Sequence, residues 1–129
     1  MDLDQAHYTV TGDWLSHRDD GVGADAHLVL AFGTRERIDR ALYDLLSGRY
    51  PQAHVALCST AGNILGTHVS DPRVSVTAVR FSATPVQAVQ VTLTETGDAY
   101  NAGCALAERL AAHATADAPL VLVLVLSDG

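Results

Sequence analysis

Two apolar runs joined by a helical repeat constrain this chain more than anything else in it. The first, Ala26–Phe32, reads A-H-L-V-L-A-F between Asp25 and Gly33. That is strand length, and an apolar run without alternation belongs in a sheet covered on both faces. Ile38, Ala41, Leu42, Leu45 and Leu46 then fall on one face of a helix, predicted over Glu36–Ser47. Thr34 is placed to cap it, Gly48 to end it, and Pro51 follows. The second run, Ala53–Leu57, is the next strand. Strand, helix and strand with short connections predict a parallel pair with a right-handed crossover.

The second run breaks at once into Cys58, Ser59, Thr60, Ala61, Gly62 and Asn63. A strand ending this way offers hydroxyls, a thiol and backbone N–H groups at its carboxyl end. Open α/β sheets bind small ligands in crevices at such ends. The small side chains let a ligand approach the backbone, and Gly62 permits a positive φ there. The competing reading is a tight turn whose hydroxyls bond their own backbone.

Downstream, Val74–Phe81 and Val86–Thr94 read as strands, and the four residues between them suit an antiparallel hairpin. Asp98 is the predicted N-cap of a helix over Ala99–His113. Ala99, Ala102, Gly103, Leu106 and Leu110 form its predicted buried face, with Cys104 beside that stripe. Leu120–Leu126 reads as a central strand, ending in Ser127-Asp128-Gly129. The fold class is therefore α/β, a mixed parallel and antiparallel sheet with helices packed on it. Residues 1–24 read as an irregular segment, with a short strand at His7–Val10 and Trp14 as its large anchor. Residues 25–129 form the α/β domain. The stop at Ser127-Asp128-Gly129 suggests an incomplete C-terminus, and with it an exposed apolar face and a homodimer of the fragment.

Charge narrows the partners. The chain has 129 residues and a formal net charge of −7, and its 8 basic residues are all Arg. They are dispersed, and Glu36 and Asp39 interrupt the only cluster, Arg35, Arg37 and Arg40. This excludes the basic face that nucleic acid or an anionic membrane requires. Leu120–Leu126 is far short of the ~20 residues that span a bilayer. The first ten residues do not read as a signal peptide. Two cysteines without metal-type spacing fit free thiols in a cytoplasmic setting.

The segment C-S-T-A-G-N-I, the following V-S-V-T-A-V-R-F and the later L-V-L-V-L-V-L-S-D-G resemble the N-terminal domain of the FIST family over residues 26–129. The chain differs in carrying Asn63 where that family usually has an acidic residue. It also lacks an amphipathic helix ahead of its first strand. The resemblance implies a partial FIST N-terminal domain from a bacterial sensory protein. It also implies a small-molecule ligand, such as an amino acid or related metabolite. A missing C-terminal portion or second domain would follow, with a kinase, cyclase or chemotaxis module downstream. The ligand would meet Cys58, Ser59, Thr60, Ala61, Gly62 and Asn63; Asp128 is expected at the rim because the strands Ala53–Leu57 and Leu120–Leu126 both finish in polar residues at their carboxyl ends.

Rival chemistries are weaker. A nucleophilic Cys58 needs a base, and His54, four residues back, lies about 13 Å away along a strand. Some FIST-like proteins bind haem as nitric oxide sensors, and His68 is the candidate ligand on that resemblance. The six histidines show no helical i, i+4 pair and no haem-attachment motif. His17, Asp19 and Asp20 read as a solvated loop rather than a metal cluster. No phosphate-binding loop is present, and Asp128 lacks the acidic pair after the first strand that a phosphoacceptor needs.

Overall fold

The computed structural model describes residues 1–62, 64–65, 68–69 and 73–127. Its elements are β1 (Asp2–Tyr8), β2 (Trp14–Asp19), β3 (Leu28–Gly33), α1 (Arg40–Arg49), β4 (His54–Ser59), β5 (Ile64–Leu65), β6 (His68–Val69), β7 (Val74–Arg80), α2 (Leu93–Thr96) and α3 (Ala99–Ala111). They divide into two units, Met1–Ala83 and Thr84–Gly129.

In the first unit, β3 and β4 pair in parallel, as the β–α–β pattern predicts. The helix between them begins later than the apolar spacing suggests. Residues 34–38 turn tightly, with the Arg37 and Ile38 N–H groups donating to the Thr34 carbonyl. Asp39, not Thr34, then caps α1, its carboxylate accepting from the Leu42 N–H at 2.8 Å. The buried stripe is narrower than predicted. Leu42 and Leu46 are buried and Ile38 packs beside them, but Ala41 and Leu45 are exposed. Tyr50 completes this i, i+4 stripe and Pro51 follows it.

The sheet runs β2-β1-β7-β3-β4, with β7 antiparallel to both β1 and β3. Under α1 lie Val29 and Ala31 of β3 and Val74, Val76 and Ala78 of β7, all essentially inaccessible. Their alternation assigns Leu28, Leu30 and Phe32 to the opposite face, where they are half-buried. Gly33 is needed where β3 ends. A Cβ there would lie 3.0 Å from Val74 Cγ2 and 3.3 Å from Ile38 Cδ1.

Residues 1–24 depart most from expectation, because β1 and β2 form a hairpin. Its turn is closed by Thr9, whose hydroxyl accepts from the Asp13 N–H, and by Gly12 at φ 88°. The charges that make Asp2–Asp4 look unlike a strand are paired. Asp2 meets Arg80 at 2.9 Å, and Asp4 accepts from the N–H groups of Asp20, Val22 and Gly23. β1 therefore occupies the flank of β7 that the sequence assigned to Val86–Thr94.

The second unit overturns three expectations. Residues 86–92 form no strand, and Leu93–Thr96 is a helical turn, so the predicted hairpin is absent. Leu120–Leu126 is not a strand either; its seven side chains are 39–88 % exposed. An apolar run gains strand geometry from a partner ladder, and none is paired to it among the described residues. The helix over Ala99–Ala111 does form, with Asp98 accepting from the Asn101 N–H at 2.7 Å. Its face differs: Ala102 is buried, Leu106 and Leu110 are half-buried, and Gly103 and Cys104 are exposed. Nothing lies within 4 Å of a Cβ built on Gly103, so no close approach calls for a glycine there.

Candidate functional site

The parallel register of β3 and β4 aligns their carboxyl ends. Phe32 stands beside Cys58 and Gly33 beside Ser59, and the Thr60 N–H donates to the Gly33 carbonyl at 2.8 Å. Each strand then leaves the sheet through a polar residue, Thr34 on one side and Thr60 on the other. The two half-buried threonines flank the point where the chain diverges toward α1 from β3 and toward β5 from β4.

The Cys58–Gly62 segment is built as a side-chain-closed turn. The Thr60 hydroxyl donates to the Gly62 carbonyl at 2.9 Å and accepts from the Gly62 N–H at 3.4 Å. Gly62 does not use the positive φ that a glycine permits, and nothing lies within 4 Å of a Cβ built there. Ser59, Ala61 and Gly62 are exposed. The Cys58 thiol is half-buried and donates to the Ser59 carbonyl at 3.4 Å.

Two contributors were not legible as site residues. Thr34 was read as a cap, yet its hydroxyl bonds Glu36 instead. Glu36 is exposed, and its own backbone N–H, followed by that hydroxyl, holds its carboxyl below the usual range. The signal was present in the sequence: both parallel strands pass from an apolar run directly into small and hydroxyl residues, Gly33-Thr34 and Ser59-Thr60. Only the register shows that these two exits are neighbours.

Asn63 and Asp128 lie outside the described residues, as does the side chain of His68, whose backbone pairs in β6 opposite Leu65. The strand end proposed to bring Asp128 to the rim, that of Leu120–Leu126, does not form. His54 shares a sheet face with Cys58 but sits at the other end of β4. Among the described residues, no group of three or more His, Cys, Asp or Glu is arranged to hold a metal ion. Cys58 and Cys104 are free thiols. No helix among the described residues is long and apolar enough to cross a membrane.

A concavity lies apart from these strand ends, between β2 and the end of α1. It is shallow, about 90 Å³, and Trp14, Ser16, Asp19, Arg49 and Tyr50 surround it. The Arg49 guanidinium covers the Trp14 ring at 4.7 Å and donates to the Tyr50 hydroxyl, so its largest aromatic surface is already occupied.

Compared with known proteins, the chain matches the family model of the FIST N domain over residues 27–129. No curated protein and no solved structure matches it. The β1–β2 hairpin precedes the matched region, yet it supplies two strands of the five-stranded sheet.

Proposed function

The chain belongs to the FIST family, whose domains are sensory modules of signal transduction, and from that premise we propose that the paired exits of β3 and β4 hold a small polar ligand. The observation that carries this reading is the register. Gly33 beside Ser59 turns two separate polar strand ends into one rim, with Thr34, Ser59 and Thr60 as side-chain donors and acceptors. An amino acid or related metabolite suits such a rim, because a few placed polar groups fix the orientation of a small zwitterion. Occupancy would be relayed to a downstream kinase, cyclase or chemotaxis module through the turn after Ser59. That turn is held by side-chain hydrogen bonds that a ligand can replace.

Calorimetric titration of the full chain with single L-amino acids tests this. Binding by at least one of them, weakened about tenfold by Thr60→Val and by Ser59→Ala with the thermal midpoint unchanged, is the expected result. A tenfold change corresponds to about 1.4 kcal/mol, the scale of one hydrogen bond to a charged group. Binding that both variants leave intact would overturn the assignment of the rim.

A further inference from the structure

The two edges of the five-stranded sheet are built differently. β2, one edge, carries Arg18 and Asp19. Its pairing with β1 skips His17, since Gln5 stands opposite Arg18 and Ala6 opposite Ser16. Charge and a bulge are the usual devices that stop an edge from recruiting another strand. β4, the other edge, reads H-V-A-L-C-S: no Lys, Arg, Asp, Glu or Pro, and no break in its register with β3. The His54 N–H donates to the His27 carbonyl and the Thr60 N–H to that of Gly33. Alternation in a parallel ladder therefore turns the N–H and C=O groups of Val55, Leu57 and Ser59 outward. Among the described residues these groups have no backbone partner.

We propose that the β4 edge is a self-pairing surface on which a second copy of this chain docks its own β4, antiparallel and about a two-fold axis at Leu57. The hydrogen-bonding row demands a polypeptide strand, and the uncharged edge offers a charged peptide nothing to pair with. β4 meets both requirements itself. Centred on Leu57, the two-fold opposes Leu57 to Leu57 of the other copy, Val55 to Ser59 and Ala56 to Cys58. The outward row then closes into about six hydrogen bonds. No charged residue of β4 opposes another in this register, whereas β2 against itself would desolvate Arg18 and Asp19. The isologous contact closes at two copies. It is small for a stable dimer, so it is weak and transient. Each copy carries a net −7, so association strengthens as salt screens the repulsion.

The test is amide hydrogen exchange on the full chain over a dilution series, with mass by sedimentation on the same samples. The expected result is a dimer at hundreds of micromolar. Protection at Val55, Leu57 and Ser59 should fall at least tenfold on dilution to a monomer, while β7 amides are unchanged. Ala56→Lys/Cys58→Lys opposes like charges across the two-fold on the face away from α1. It should give a monomer at every concentration with β7 protection retained. A chain monomeric throughout, with the three amides exchanging freely, overturns the proposal. So does protection that is independent of concentration, which assigns the edge to a strand of the same chain.

Discussion

Ala26–Phe32 and Leu120–Leu126 are apolar runs of the same length, and they end in opposite states. The first lies inside a sheet, with Val29 and Ala31 inaccessible; the second forms no ladder among the described residues and leaves Val121 88 % exposed. Hydrophobicity does not separate them, since the second run is the more apolar. What separates them is the neighbourhood. Ala26–Phe32 has β4 in register on one side and β7 on the other, with Leu42 and Leu46 of α1 above. A strand is a property of the ladder and of the facing layer, not of the run itself.

The comparison can be broken by mutation. Leu46→Ala removes a fully buried side chain from the layer above β3, and it should cost about 2–5 kcal/mol of unfolding free energy. Urea unfolding followed by Trp14 fluorescence, which reports the first unit, measures it. A cost below about 1 kcal/mol would mean that α1 does not secure the sheet.

Val29→Ala and Val121→Ala put the same deletion into the two runs. The first should cost about 1–3 kcal/mol by the Trp14 signal; the second should stay within about 0.5 kcal/mol. Equal effects would show that the two runs are equally buried in solution.

The helix caps sharpen the contrast. Asp39→Ala should lower the Trp14-reported stability by about 1 kcal/mol, because Asp39 accepts from the Leu42 N–H at the start of α1. Asp98→Ala should instead lower helical ellipticity while leaving the Trp14 midpoint in place. A shared shift would make the two units one cooperative body.

The smallest effect concerns Asp20. The Arg18 guanidinium, and after it the Leu3 N–H, hold its carboxyl below the ordinary value. A carboxyl held low in the folded state stabilises at pH above its unfolded value. That contribution fades as pH falls through the folded value. Asp20→Asn should therefore flatten the acid limb of a thermal-midpoint profile slightly and change nothing near neutrality. An unchanged acid limb would mean that this exposed pair contributes nothing.

The β–α–β unit was legible because each of its parts carries a local signal: run length, a helical stripe, a glycine and a proline after it. The α3 helix was legible for the same reason, through Asp98 and its periodic small and apolar residues. The β1–β2 hairpin was hidden because its strand carries Asp2 and Asp4, whose partners Arg80 and the N–H groups of Asp20, Val22 and Gly23 lie far along the chain. The Thr11-Gly12-Asp13 turn was the available clue. Val86–Thr94 misled for the converse reason. Its alternation is local, but β1 takes the flank of β7 that the alternation would need. Of the candidate rim, the Cys58–Gly62 half could be read from composition. The Thr34 half required the register between two strands twenty-six residues apart, as in Gly33 beside Ser59.

Amide shift mapping of the isotope-labelled full chain against a panel of L-amino acids tests the central claim most directly. Saturable shifts concentrated at Thr34, Ser59, Thr60 and Gly62, and lost in Thr60→Val, are the result this account predicts. Saturable shifts that fall instead around Trp14, Ser16 and Arg49, or no saturable shift at the paired strand ends with any member of the panel, would contradict it.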